Sequence, residues 1–224
     1  MAGRRDAVFA RCLMPAQLVL PLPSNNAMTR AEFVVAESNK RAYTFLDSFP
    51  DWPAPAAALV GPSASGKTHL ARIWAERSGA TLLDARDLPA PVEGPAVVEN
   101  IDSAPGFAHE PALFAMLERG TPLLLTGRQT PSSWEVTLPD LGSRFRALLA
   151  FELGAPDEAL LMALAVKLFA DRQVLVPESV VTHLVRTLER SPSALRDFIQ
   201  RADTRALEEK KPVNLKLIQS LMAD

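Results

Sequence analysis

Cysteine is almost missing from this chain: Cys12 is the single thiol in 224 residues. No intrachain disulfide can form, which suits a reducing compartment. Long apolar runs are missing too, and none reaches the roughly 18 residues that a membrane-spanning helix needs. An excess of either charge is also missing, since 24 basic residues face 26 acidic ones for a formal net charge of -2. That balance excludes a nucleic-acid coat protein but leaves a local basic patch open. The first fifteen residues hold arginines and only a short, broken apolar stretch, so they read as a lead-in and not as a signal peptide. No internal repeat is visible. The expectation is a cytoplasmic protein.

What is present suffices for a packed core: 48% of residues are hydrophobic and 22% charged, an ordinary globular balance. After a flexible segment over 1–27, short apolar runs alternate with helical patterns. Strands are expected over 57–60, 81–84, 96–99, 122–126 and 148–153, with helices over 66–77 and 111–119. Continuous apolar strands separated by helices imply a parallel sheet covered on both faces. From Pro156 the pattern is helical only, over 157–171, 177–190, 191–209 and 214–222. The third of these opens on Ser191-Pro192, a good helix start. The fold class expected is therefore α/β, a parallel sheet sandwiched by helices over 28–154, followed by a small all-helical domain over 155–224.

The first strand runs into Gly61, Pro62, Ser63, Ala64, Ser65, Gly66, Lys67 and Thr68, the complete spacing G-x-x-x-x-G-K-[ST]. The glycines let backbone N–H groups turn toward one anion, and the helix that follows aims the positive end of its dipole at the same point. Lys67 is expected to reach the β- and γ-phosphates and Thr68 to ligate Mg²⁺. His69 closes the candidate phosphate-binding stretch. Such a site calls for an acid at the end of a neighbouring strand. Val97-Val98-Glu99-Asn100 provides Glu99 as the candidate metal partner of Thr68, and Asp102 is the less favoured alternative. Asn100 follows where many ATPases carry a water-activating carboxylate, and an amide is a poor base.

Together these motifs resemble the AAA+ ATPases of the DnaA family, over roughly residues 28–222. Ala31-Glu-Phe-Val-Val-Ala-Glu-Ser-Asn-Lys-Arg-Ala-Tyr43 resembles that family's opening segment, which packs on adenine. The resemblance makes Val34 and Val35 base contacts and implies an AAA+ sheet with a helical lid, binding ADP or ATP with Mg²⁺. Thr126-Gly127-Arg128 takes the place of the sensor-1 strand end, with Arg128 where an acid is usual. Leu141-Gly-Ser-Arg-Phe145 is similar to the arginine-finger box, making Arg144 the candidate finger. A guanidinium fork can stabilise phosphate charge on a neighbouring subunit. The plain alternative is a surface arginine at a helix end. Ser193 stands in the place of the sensor-2 arginine, and Arg196 follows one turn later.

Upstream, Gln17-Leu18-Val-Leu20-Pro21-Leu22 resembles the short peptide by which proteins dock on the bacterial sliding clamp. An extended peptide can insert Leu20 and Leu22 into pockets while the Gln17 amide hydrogen-bonds; the alternative is an edge strand. A clamp peptide ahead of a DnaA-like module, with no DNA-reading domain after it, resembles the clamp-bound regulators of that family. The resemblance implies as partners the DNA polymerase sliding clamp and the initiator DnaA. DNA is contacted only indirectly, no membrane is involved, and a homo-oligomer is left open. Weak intrinsic hydrolysis is expected from Asn100, Arg128 and Ser193, with Arg144 acting in trans. The competing reading is a helicase loader or transposition-type ATPase.

Overall fold

Ala56–Val60 (β1) is buried at all its positions, so both of its faces must be covered. The computed structural model describes residues 28–88, 90–103 and 109–223. Within them β2 (Thr81–Asp84), β3 (Ala96–Glu99), β4 (Leu123–Gly127) and β5 (Leu149–Glu152) join β1 in one sheet of order β2-β3-β4-β1-β5. All neighbours run parallel. Ala56 lies beside Leu123 and Val60 beside Gly127 on one side, while Val60 lies beside Glu152 on the other. Every strand therefore ends at the same edge of the sheet, where open α/β folds place their ligands.

Alternate strand residues point to opposite faces, and two cores follow. Ala57, Leu59, Val97 and Leu124 pack with Leu46 of α1 (Glu37–Asp47) and with Leu70 and Trp74 of α2 (Lys67–Ser78). Ala58, Val98, Leu123 and Leu125 pack with Leu113 and Met116 of α3 (Glu110–Glu118) and with Leu141 and Phe145 of α4 (Pro139–Ala147). A third core belongs to α5 (Glu158–Asp171), α6 (Glu178–Thr187), α7 (Pro192–Glu209) and α8 (Leu215–Ala223). It is built from Phe169, Leu184, Phe198, Ile199 and Ile218 among others. Each such side chain, fully buried, stabilises by about 1.5–3 kcal/mol. Side-chain caps start these helices: Asp157 Oδ1 accepts from Leu160 N at 2.7 Å, and Asn214 Oδ1 from Leu217 N at 3.0 Å, each cap typically contributing about 1 kcal/mol.

The α/β class and the parallel sheet agree with the sequence reading. Helix α1 was not foreseen, for a physical reason. It is mostly polar, and it buries only Asn39, Ala42 and Leu46. Asn39 is buried because it stitches the turn: its Oδ1 accepts from Ala36 N at 2.9 Å and its Nδ2 donates to Val34 O at 3.0 Å. Among the described residues no helix is long and apolar enough to cross a membrane.

Candidate functional site

Between β1 and α2 the chain turns through a left-handed Gly61 (φ +143°), Ala64 (φ 61°) and Gly66 (φ 98°). Only glycine fits at 61, since a Cβ there would drive into the Leu153 carbonyl oxygen. Ala64 takes a conformation that costs an L-residue of order 1–2 kcal/mol, a strain typical of ligand clamps. The turn is fastened to the sheet, with Gly61 N donating to Gly127 O at 3.3 Å and Leu153 N to Val60 O at 2.8 Å.

Lys67 Nζ donates to Gly61 O at 2.7 Å, to Pro62 O at 2.8 Å and to Ser65 Oγ at 3.4 Å. Burial lowers its pKa most, Asp102 opposes that, and the Arg128 charge lowers it further, with a smaller upward pull from Glu99.

The loop forms one wall of a cavity of about 250 Å³. Ser63 through His69 line it, as do Asn100, Asp102, Thr126 and Arg128 from the strand ends. Leu160 and Leu164 of α5, and Ser193 and Arg196 of α7, close the far side. The first core of the chain and the helical cluster thus share one crevice. Two arginine-bearing strand and helix ends, 128 and 196, reach it.

The candidate residues separate into groups. Ser63, Ala64, Ser65, Gly66, Lys67, Thr68, His69 and Asn100 come together at the cavity, while Gly61 and Pro62 shape it from behind. Val34 lines it and packs against the helical cluster, whereas Val35 does not line it and is 45% exposed. Glu99 ends β3 beside Asp84 without lining the cavity. Asp102, three residues on, is the carboxylate that lines its phosphate end. Asn100, whose amide is a poor base in any setting, is held in place: its Nδ2 donates to Asp84 Oδ2 at 2.7 Å, and its own N–H donates to Thr126 Oγ1 at 3.3 Å. Asp84 is in turn forked by Arg86 at 2.7 and 2.6 Å, which with the Asn100 amide holds its carboxyl well below the usual carboxylate range. Gln17, Leu18, Leu20, Pro21 and Leu22 lie outside the described residues.

Arg144 does not line the cavity. It sits in the last turn of α4, pairs with Glu118 and lies 5.8 Å from the centre of the Phe114 ring. Sequence reasoning missed what steadies that helix. Glu110, 1% exposed, accepts from Thr137 N (2.7 Å), Thr137 Oγ1 (2.8 Å) and Leu138 N (2.8 Å). An acid just before Pro111 reads in sequence only as a helix-start charge.

His69 was foreseen, but not its setting. It is buried, its Nε2 lies 2.9 Å from Thr29 O, its Nδ1 lies 3.5 Å from Arg196 Nη2, and Phe33 meets it edge-on at 5.1 Å. Guanidinium can only donate, so Nδ1 accepts and Nε2 carries the proton. Burial lowers the His69 pKa, in keeping with a neutral ring. Ser193 Oγ lies 2.7 Å from Ser191 Oγ, and Arg196, one turn later, lines the cavity beside it.

The cradle fits a nucleotide polyphosphate: a strained glycine turn, an ammonium group at its mouth and a helix start behind it. Divalent metal is served less well. Thr68 offers a hydroxyl, but Glu99 is off the cavity. The Asp102 Oδ2 already accepts Arg128 N at 2.5 Å and Gln129 N at 2.8 Å. Thr68 lines the cavity, while Glu99 ends β3 beside Asp84 with its charge still reaching Lys67, so ligation of Mg²⁺ by this pair stays an expectation.

Solved structures supply the comparison. Domain III of the replication initiation protein DnaA from Thermotoga maritima superposes with a TM-score of 0.72 at 18% identity, over 89% of this chain and 97% of that one. The fold is that of the AAA+ ATPases. The RuvB Holliday junction branch migration motor of Thermotoga maritima shares the AAA+ fold with a TM-score of 0.67 at 18% identity, over 88% of this chain and 71% of that one. AMPPCP-bound DnaA from Aquifex aeolicus gives 0.66 at 15% identity, over 79% and 65%. No family model and no curated relative matches the sequence.

Proposed function

We propose that this chain is an Hda-type regulator of chromosomal replication initiation. It binds ADP or ATP in the crevice between sheet and helical cluster, with ADP as resident ligand. It docks on the DNA polymerase sliding clamp through Gln17–Leu22 and promotes hydrolysis of ATP held by the initiator DnaA. Its place of action is the cytoplasm, and it meets DNA only through those partners.

The observation that carries this reading is a division of labour within the chain. Residues 61–69 build a phosphate cradle, while Arg144 stands on α4 outside that cavity and half exposed. A guanidinium so placed is available to a nucleotide on another subunit, where arginine fingers act. Asn100, tied to Asp84, supports weak hydrolysis by the chain itself. In the proposed step Arg144 neutralises charge developing on the initiator's γ-phosphoryl group, and attacking water and magnesium belong to the initiator's own site.

The test combines purified initiator, ATP, DNA-loaded clamp and this chain. Stimulated hydrolysis that disappears with Arg144→Ala, and with the triple change Gln17→Ala, Leu20→Ala, Leu22→Ala, is the expected result. Rapid hydrolysis by this chain alone, with salt-sensitive DNA binding that needs no clamp, would replace the reading with a motor of the helicase-loader or transposition type.

A further inference from the structure

Two side-chain cations face the phosphate end of the cavity, and one of them is uncompensated. Lys67 is satisfied by loop oxygens. Arg128 also lines the cavity, and its charge acts on Lys67 as a repulsion. Among the described residues the Arg128 guanidinium enters no ion pair and no hydrogen bond. Its position is nonetheless fixed, because Asp102 Oδ2 takes the backbone N–H groups of both Arg128 and Gln129. Thr126, two residues earlier, is buried at the end of β4 and holds Asn100 N. The side chain therefore leaves from an anchored backbone beside the cradle.

Like charges set side by side repel, and a polyanion between them turns the repulsion into attraction. Metal normally does this for a nucleotide by bridging the β- and γ-oxygens. Here few carboxylate oxygens face the cavity for metal: Glu99, whose charge reaches Lys67, does not line it, and Asp102 Oδ2 accepts two backbone N–H groups, leaving Oδ1. An arginine, always charged and forked for phosphate oxygens, can take over the neutralisation. Arg196 adds a third cation from the opposite wall, 3.5 Å from a neutral His69 nitrogen.

We propose that Arg128 binds the terminal phosphate of the nucleotide in place of a divalent cation, so that this site takes up adenosine di- and triphosphates as metal-free anions. The proposal rests on the nucleotide-binding reading above and adds to it a specific counter-charge. No bond is made or broken; the residue supplies binding and retention. It also accounts for a fold that keeps its cradle while its catalytic acid is replaced by an amide at Asn100.

Titration of the full chain, first freed of bound nucleotide, with ADP and with ATP, once in excess EDTA and once in excess MgCl₂, provides the test. Calorimetry reads the dissociation constant. The variants are Arg128→Ala, Arg128→Asp and Lys67→Ala, with circular dichroism melting to show that each is folded. For the unmodified chain the two conditions are expected to agree within about threefold. Arg128→Ala is expected to weaken binding about tenfold or more in EDTA, the loss expected for a charge-assisted contact, and less in MgCl₂. Arg128→Asp is expected to restore a need for metal, with binding in MgCl₂ exceeding that in EDTA.

Metal-dependent binding by the unmodified chain would overturn the proposal while leaving the nucleotide reading intact. Equal EDTA affinities for the unmodified chain and Arg128→Ala would do the same. Failure to bind under either condition, with Lys67→Ala indistinguishable, would overturn both readings.

Discussion

Glu110 holds Thr137 twice, through its backbone N–H at 2.7 Å and its hydroxyl at 2.8 Å. The same carboxylate takes Leu138 N at 2.8 Å, and Leu138 is the residue on which α4 begins. Glu110, Phe114 and Glu118 are spaced i, i+4 and i+8, which places them along one side of α3. The first secures the start of α4, and the other two receive Arg144 near its end. One helix thus sets both the root and the reach of the candidate finger.

Glu110→Gln is therefore expected to lower stability. The amide keeps one acceptor oxygen but points N–H groups at N–H donors in a buried place. A loss of about 2 kcal/mol, equivalent to roughly 4–8 °C in melting temperature for a chain of this size, is expected. Nucleotide affinity should hold, because Glu110 does not line the cavity. An unchanged melting temperature would remove Glu110 as the anchor of α4.

Arg144→Ala separates stability from function. The Arg144–Glu118 pair is 45% and 46% exposed, so its loss should cost no more than about 1 kcal/mol. Stimulation of initiator-bound ATP hydrolysis should fall to background. Glu118→Gln frees the guanidinium and should leave stimulation intact or raise it. A Glu118→Gln protein that loses stimulation would mean the pair is needed to aim Arg144, not to park it.

Gly61→Ala should disable the cradle. The alanine Cβ meets the Leu153 carbonyl at a backbone angle that L-residues avoid, and the conformational cost alone is about 1–2 kcal/mol. Nucleotide affinity is expected to drop about tenfold or more, by the equivalence of 1.4 kcal/mol to one decade. Wild-type affinity in this variant would show that the turn can be rebuilt around a side chain.

His109 gives a pH signature. It is 4% exposed, and burial lowers its pKa against a smaller upward pull from Glu110. A histidine held below its unfolded value is neutral in the folded chain while the unfolded chain binds the proton. Stability from this group is full above about pH 6.5, the unfolded value, and is lost as pH falls through the folded value. Melting curves from pH 7 to pH 5 should therefore slope less in His109→Gln than in the unmodified chain. Parallel slopes would show that His109 does not titrate across that range.

Most of the fold was legible because its signals are local. β1, β3 and β4 are short apolar runs, and the loop at 61–68 carries its own punctuation. Helix α1 was hidden because Asn39, a polar residue, is one of its three buried positions. The site was legible as far as sequence spacing reaches, which covers Lys67 and its neighbours. It failed where the answer is a distance between elements. Asp102 beneath the N–H groups of Arg128 and Gln129, and Glu110 beneath Thr137, depend on how separate strand and helix ends meet, and no spacing along the chain records that.

The parallel sheet also separates what can be altered from what cannot. Its strands deliver 61–66, 100–102 and 126–128 to one edge, while Gly94 and Gly120 turn at the other with open space where a side chain would grow. That far edge is the natural handle of the molecule. A short tag inserted beside Gly94, with the glycine and its left-handed turn kept, would leave the cradle free to work while its binding is watched.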